Sequence, residues 1–159
     1  MDPRHMIRMF IWLKKGIQMK RNKLFIDTGA WIALIVENDH FHKAARSYLE
    51  SLDLSIKRLS SSYVIAETYT WLRYREGFKS ADNFLNVINQ SKASGMLDVI
   101  VGEGDILDIS EQLLRDFSDQ RLSYVDAVSM AIMKKERINK VFGFDHHFYL
   151  MDFEVVPYL

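Results

Sequence analysis

The sequence contains no cysteine. It can therefore form no disulfide, no thiolate zinc site and no thiol nucleophile, which excludes small disulfide scaffolds, zinc fingers and cysteine hydrolases. A chain without cysteine fits a reducing compartment, and we expect a cytoplasmic protein.

Long hydrophobic runs are also absent. The longest apolar run near the N-terminus covers residues 9–13, whereas a membrane-spanning helix needs ~20 residues and a signal-peptide core ~7–15. We expect no membrane association. The 159 residues contain no internal repeat or low-complexity segment, and 48% are hydrophobic and 26% charged, which is typical of one globular domain.

The charge is formally zero but unevenly distributed. Residues 1–23 carry seven basic side chains against Asp2, a net charge of +6, so residues 24–159 carry −6. Such an acidic body is not that of a general nucleic-acid binder, and a phosphate-bearing substrate would need a divalent cation or local arginines. We interpret residues 1–20 as an extension to a domain at 21–159: a basic arm, an alternative start upstream of Met19, a cloning remnant or an interfacial membrane anchor.

Short apolar runs alternate with helical patterns, which predicts a parallel α/β sheet covered on both faces. Strands are expected at residues 23–27, 58–60, 96–102, 140–144 and 153–156. Helices are expected at residues 29–37, 40–52, 62–76, 80–92, 105–117 and 123–137, and residues 145–150 form a turn or short helix.

Two predicted strands run into an aspartate. Asp27 follows "KLFI" and Asp145 follows "VFGF", and ligands of open α/β sheets bind outside the carboxyl ends of strands. Simpler roles exist for both side chains. Asp27 could cap the helix that begins at Gly29, and Asp145 could be a turn aspartate.

Two further acids lie on apolar helices. Asp126 interrupts "YVDAVSMAIM", and Glu67 lies within "SSYVIAETYTWL". An isolated buried carboxylate costs several kcal/mol unless it is paired or bound to a metal. The simpler explanations are a capping box of Ser123 with Asp126 and a solvated helix face for Glu67.

Together the four acids form a pattern that these separate roles explain poorly. If they converge, they cannot all ionise without a compensating positive charge. Oxygen-only ligands suit Mg²⁺ or Mn²⁺.

Four segments, "LFIDTGAW", "SSYVIAETY", "RLSYVDAVSMAIMKKERI" and "VFGFDHHF", occur in this order. They resemble the PIN domain family, in particular the VapC-like toxins of toxin–antitoxin pairs, over residues 23–159. The resemblance implies a three-layer α/β/α fold with a mainly parallel sheet of about four to five short strands. It also implies a metal-dependent endoribonuclease whose products carry a 5′-phosphate and a 3′-hydroxyl.

The family's acidic quartet falls on Asp27, Glu67, Asp126 and Asp145. By resemblance, Asp27 and Asp126 are the principal ligands of Mg²⁺ or Mn²⁺, and Glu67 and Asp145 complete the catalytic cluster. The hydroxyl neighbours that would position water or phosphate are Thr28 and Ser123. The implied partners are an RNA substrate and an antitoxin protein, which would insert a basic side chain into the acidic pocket.

Other enzyme classes fit less well. An aspartic protease also carries Asp-Thr-Gly but is β-rich, a haloacid-dehalogenase-type phosphatase needs an aspartate at position 29, and the G-x-G-x-x-G of a dinucleotide site is absent. The remaining alternative is a PIN-like module that binds RNA or protein without catalysis.

Two further expectations concern side chains outside the quartet. His146 and His147 could contact a substrate phosphate, although loop histidines are usually solvated. The predicted helix around Glu67 carries more aromatic residues than one buried face needs, which favours a homodimer interface on this helix and the next. These aromatic residues are Tyr63, Tyr69, Trp71, Tyr74 and Phe78.

Overall fold

A computed structural model describes residues 22–159 of the protein. The predicted extension at residues 1–20 lies outside the described residues. In the part of the chain that is described, no helix combines the length and the apolar character needed to cross a membrane.

The core of the fold is a five-stranded sheet in which every neighbouring pair of strands is parallel. Its strands are β1 (Lys23–Ile26), β2 (Lys57–Ser61), β3 (Leu97–Ile100), β4 (Lys140–Phe142) and β5 (Glu154–Val156). They lie in the order β3-β2-β1-β4-β5. The predicted α/β class and the number of strands are confirmed.

Helices flank this sheet. They are α1 (Thr28–Ile35), α2 (His42–Ser51), α3 (Ser62–Arg75), α4 (Phe78–Ala93), α5 (Asp105–Asp116) and α6 (Tyr124–Lys135), and a 3₁₀ helix follows at His146–Met151. Leu24, Phe25 and Ile26 are consecutive and all buried. Because successive strand residues point to opposite faces, their burial means that β1 is covered on both faces.

The order of the strands reverses beside β1. The chain builds β2 and then β3 on one side of β1, and β4 and β5 are added on the other side. A crevice outside the carboxyl ends of β1 and β4 is therefore the expected ligand site. The backbone N–H of Asp27 donates to the carbonyl of Phe142 at 2.9 Å, which ties the two strand ends together.

The structure corrects the position of Asp145 relative to β4. We predicted a strand to residue 144, but β4 ends at Phe142, whose partner Val156 is the last residue of β5. Asp145 instead precedes the 3₁₀ helix as its N-cap residue. The carboxylate thus lies on the connection that leaves the strand.

Candidate active site

The four predicted acids line one open cleft of about 610 Å³. Each comes from a different part of the fold: the end of β1, the middle of α3, the first turn of α6 and the start of the 3₁₀ helix. In the same order, these acids are Asp27, Glu67, Asp126 and Asp145. Thr28 and Ser123 line the same cleft, so the structure brings together all six predicted site residues.

Asp27 is the most deeply buried of these carboxylates, with 4% of the residue exposed. It occupies the N-cap position of α1, but its side chain makes no capping hydrogen bond, and its buried Oδ1 has no hydrogen-bond partner. The capping explanation is therefore wrong. Burial, together with the negative charges of Asp126, Glu67 and Asp145, raises the pKa of Asp27 to about 8.

Glu67 faces the cleft and not bulk solvent, so the solvated-face explanation does not hold. Its Oε2 accepts a hydrogen bond from Oγ1 of Thr28 at 2.5 Å. Burial raises the pKa of Glu67, with smaller contributions from Asp126 and Asp145, while the bond from Thr28 opposes this increase. Thr28 holds the Glu67 carboxylate in place; its expected contact with water or phosphate stays a prediction.

Asp126 does form the capping box that we considered as its simpler role. Its Oδ2 accepts from the backbone N–H of Ser123 at 3.0 Å, and its own N–H donates to Oγ of Ser123 at 3.0 Å. The two bonds fix the carboxylate at the N-terminus of α6 and leave Oδ1 for another ligand. Burial is the main cause of the raised pKa of Asp126.

Asp145 also has the predicted turn role, since its Oδ1 accepts from the backbone N–H of His147 at 2.9 Å. Both histidines line the cleft but differ in burial: the side chain of His146 is 83% exposed, whereas that of His147 is only 16% exposed. From the sequence the two were treated alike, as histidines that could contact a substrate phosphate or be solvated loop residues, and the phosphate contact stays a prediction. The i, i+2 spacing from Asp145 is the signal that distinguishes His147.

Gly143 allows the chain after β4 to pass close to Asp27. A Cβ at position 143 would lie 3.2 Å from Cβ of Asp27 and 3.5 Å from its Oδ2. The 3.2 Å separation between the two Cβ atoms is shorter than an ordinary van der Waals contact. The absence of a side chain at Gly143 therefore helps to bring the carboxylates of Asp27 and Asp145 to the same cleft.

Within residues 22–159, the basic groups beside this cluster are the imidazoles of His146 and His147, the nearer being Nδ1 of His147 at 2.8 Å from Oδ1 of Asp145. No lysine or arginine lines the cleft, and none of the four carboxylates there forms a salt bridge with one. The cleft instead offers carboxylate oxygens, one of them the unpartnered Oδ1 of Asp27. This donor set fits a divalent cation such as Mg²⁺ or Mn²⁺.

Comparison with known proteins agrees with this geometry. Residues 24–154 match the family model of the PIN domain. The chain belongs to the PIN domain family. The family predicted from the four sequence segments is confirmed, and the PIN domain covers nearly all of the described residues.

A relative of established function spans most of the chain. The 23S rRNA-specific endonuclease VapC20 of Mycobacterium tuberculosis is 30% identical over 138 residues, which cover 84% of this chain and 98% of the relative. The crystal structure of VapC20, a sarcin–ricin loop cleaving toxin, superposes with a TM-score of 0.76 at 29% identity and covers 84% of this chain and 99% of that chain. The VapC-like assignment within the family is thus confirmed.

More distant structures share the fold alone. VapBC2 from Rickettsia felis, solved with a DNA fragment from its promoter, has a TM-score of 0.65 at 12% identity and covers 84% of this chain and 97% of that chain. FitAcB from Neisseria gonorrhoeae has a TM-score of 0.61 at 15% identity, with 84% and 96% covered. The PIN fold therefore persists where few residues are shared.

Proposed function

We propose that this protein is a divalent-metal-dependent endoribonuclease of the VapC toxin type, which cleaves RNA in the acidic cleft. The observation that carries this proposal is the convergence of four carboxylates from separate elements, with no lysine or arginine lining the cleft within residues 22–159. RNA is itself an anion and would be repelled by this cluster. A bound cation removes the repulsion and gives the phosphate a positive contact.

The side chains divide into ligands and groups that hold the ligands. Asp27 and Asp126 would be the principal ligands of Mg²⁺ or Mn²⁺, and Glu67 and Asp145 would complete the site. Thr28 would orient Glu67 through its 2.5 Å bond, and Ser123 would orient Asp126 through the capping box. When bound, the cation supplies activation of the attacking water and neutralises charge at the phosphate.

The substrate we propose to test first is ribosomal RNA, because the relative at 30% identity is named as a 23S rRNA-specific endonuclease. The products would carry a 5′-phosphate and a 3′-hydroxyl. We propose a cytoplasmic location, because ribosomal RNA would be the substrate there. Sequencing of RNA 5′ ends after induction would identify the cleaved molecule and the position of the cut.

Two protein partners belong to the same proposal. A second copy of the chain would pack on α3 and the start of α4, where aromatic side chains remain exposed. An antitoxin would close the acidic cleft with a basic side chain, which is favourable for a body of net charge −6. A neighbouring gene for a small DNA-binding protein would support the antitoxin.

The decisive experiment replaces one ligand and follows both metal and RNA. We expect Mn²⁺ to raise the Tm of the wild-type protein, and Asp126→Asn to abolish this increase and to lower RNA cleavage at least ~100-fold. Asp82→Asn, at an exposed position of α4, is the matched control and should retain both properties.

Two results would contradict the proposal. Cleavage at the wild-type rate by Asp126→Asn, or by the wild-type protein in excess EDTA, would exclude a metal-dependent reaction at this site. If the wild-type protein binds RNA but never cleaves it with Mg²⁺ or Mn²⁺ present, the non-catalytic alternative is correct.

A further inference from the structure

We propose that His147 is a nitrogen ligand of the divalent cation, together with Asp126 and Asp145, and that it makes the site prefer Mn²⁺ over Mg²⁺. This inference rests on the proposed function, because it concerns the metal of the same cleft. It goes beyond the acidic quartet, which offers oxygen donors only.

The position of the His147 ring is the first observation. Its Nδ1 is buried and has no hydrogen-bond partner, although it lies 2.8 Å from Oδ1 of Asp145. The two atoms are within the distance of an ion pair, which forms only when the imidazole is protonated, but they lack the alignment that a hydrogen bond requires. A nitrogen that is buried next to a carboxylate oxygen, without a hydrogen bond to it, is suited to bind the same cation as that oxygen.

The distances between the donor atoms fit a common cation. A nitrogen or oxygen of each of Asp126, Asp145 and His147 lies within 4.8 Å of the others. Two ligands about 2.1 Å from one octahedral ion are about 3 Å apart when adjacent and about 4.2 Å apart when opposite. The separation between Nδ1 of His147 and Oδ1 of Asp145 matches an adjacent pair.

The backbone holds His147 in this position before any metal binds. Its N–H donates to Oδ1 of Asp145 at 2.9 Å, and the 3₁₀ helix that contains it starts at His146. The ring of His146 stacks on that of His147 at a centroid distance of 4.5 Å. His147 therefore loses little conformational entropy on binding a cation, which favours it as a ligand.

Asp27 gives an independent indication that this cleft receives a cation. Its Oδ1 is buried without a partner in a residue that is only 4% exposed, and Asp27 lines the same cleft as His147. Asp27 and His147 thus line the same cleft, each with one unpartnered buried atom, an oxygen and a nitrogen, although Asp27 is not among the three residues whose donor atoms meet within 4.8 Å.

The chemistry of imidazole determines the expected selectivity. Mg²⁺ is bound through oxygen and water, whereas imidazole is a better ligand for first-row transition metals, and of these Mn²⁺ is the one that also suits a set of mainly carboxylate ligands. A site of carboxylates alone accepts Mg²⁺ and Mn²⁺ with little distinction. The same site with one imidazole should bind Mn²⁺ more tightly while gaining little for Mg²⁺.

The test uses Mn²⁺ as a spectroscopic probe in the full chain. Pulsed electron paramagnetic resonance of the Mn²⁺ complex detects ¹⁴N coupling when an imidazole nitrogen is bound to the ion. We expect this coupling in the wild-type protein and in His40→Gln, an exposed histidine that does not line the cleft, and we expect its loss in His147→Gln. By calorimetry, His147→Gln should weaken Mn²⁺ binding roughly tenfold and change Mg²⁺ binding less than about threefold.

The possible results separate this inference from the proposed function. Mn²⁺ that binds at the Asp126 site without ¹⁴N coupling, or equal loss of Mn²⁺ and Mg²⁺ affinity in His147→Gln, would overturn the role of His147 and leave the nuclease intact. Failure of the wild-type protein to bind either metal would overturn both. Retained Mg²⁺ binding by His147→Gln shows that the variant is folded.

Discussion

Asp27 shows how strongly the cleft perturbs a single carboxyl group. Its pKa of 3.8 is raised to about 8, mainly by burial. In the folded protein the group therefore keeps its proton up to about pH 8, whereas in the unfolded chain it loses it near pH 4. Between these two pH values the folded state binds more protons than the unfolded state. The contribution of Asp27 to the free energy of unfolding is therefore fully present below about pH 4 and is lost as the pH rises towards 8.

Asp27→Asn should therefore stabilise the metal-free protein at pH 8. Asparagine does not ionise, so we expect the Tm in EDTA to increase by about 3 °C or more at pH 8, equivalent to at least about 1 kcal/mol. The increase should be smaller at pH 5, where the wild-type carboxyl is protonated. Melting curves from pH 4 to 8 measure the difference; a difference that does not change with pH would contradict the raised pKa.

With Mn²⁺ present, the wild-type protein should be more stable than Asp27→Asn at pH 8, the reverse of the order expected in EDTA. The cation binds the ionised carboxylate, so its affinity for the wild-type protein should increase with pH and its stabilising effect should be lost in Asp27→Asn. Asp27 would thus destabilise the metal-free fold at high pH and contribute to the stability of the metal-bound protein.

For the helices and strands, the sequence predicted the elements that show as apolar patterns along the chain. It missed the ends of elements that are set by pairing with a neighbouring strand. Apolar runs separated by helical patterns were sufficient for the five parallel strands. The predicted end of β4, at residue 144, was wrong. Phe142 pairs with Val156, and Pro157 ends β5 directly after that residue. β4 stops where its partner stops, and its own residues do not show this.

The helix after α3 illustrates a second limit. We predicted its start at Ser80, but α4 begins at Phe78. Gly77 occupies the N-cap position with φ of 93° and provides no side-chain cap. Glycine adopts this left-handed conformation without steric cost, so the chain turns two residues earlier than predicted.

The candidate site shows the same division. All four acids could be singled out from the sequence, because two follow apolar strands and two interrupt apolar helices. A charged residue beside an apolar run can be recognised without a structure. His147 was not singled out, since its burial arises only when the 3₁₀ helix packs beside α6. His147 is more buried than His146 because of tertiary packing, which the sequence does not show.

The connection between β4 and the 3₁₀ helix gives a prediction about Gly143. Gly143→Ala would place a Cβ 3.2 Å from Cβ of Asp27, so Asp27 or the connection that leads to Asp145 must shift by a few tenths of an ångström. We expect Mn²⁺ affinity and RNA cleavage to fall roughly tenfold, because small misplacements in a catalytic site are costly.

Gly29→Ala is the matched control for this prediction. A Cβ at Gly29, in α1 of the same cleft, would be 3.8 Å from its nearest neighbours in Phe144, which is ordinary contact. Alanine also favours the helix, so this variant should retain metal affinity. Equal affinity losses in the two variants would show that close approach to Asp27 is not the cause.

The distribution of charge over the chain predicts a role for the N-terminal residues in binding RNA. Residues 24–159 have a net charge of −6, and most of the basic excess lies within residues 1–23. We propose that residues 1–20 form an arm that contacts phosphates away from the cleft. Their deletion should weaken RNA binding and make the slope of log K against log salt shallower by about 1 to 3.

Metal binding separates this effect from damage to the fold. The truncated protein should bind Mn²⁺ as tightly as the full chain, since all the proposed ligands lie within 27–147. An unchanged salt slope in filter-binding or anisotropy titrations would show that the extension does not contact RNA.

Dimer formation is the property that the exposed aromatic side chains predict. Four of the five aromatic residues noted lie on α3, and Phe78 is instead the first residue of α4. Tyr63, Tyr69 and Trp71 pack partly against the core, whereas Tyr74 is 83% exposed and Phe78 is 59% exposed. Exposed neighbouring aromatics are typical of interface centres. We therefore expect a dimer by light scattering coupled to gel filtration at tens of micromolar.

A double substitution tests whether this surface is the contact. Tyr74→Lys with Phe78→Lys should convert the dimer to a monomer, because two buried lysines of each copy would face their counterparts across a two-fold axis. Tyr149→Lys replaces an aromatic side chain with the same exposed fraction as Phe78, 59%, on the 3₁₀ helix, and should leave the dimer intact. A wild-type monomer at this concentration would refute the dimer itself, whereas a dimer that survives the double substitution would move the interface away from α3 and α4.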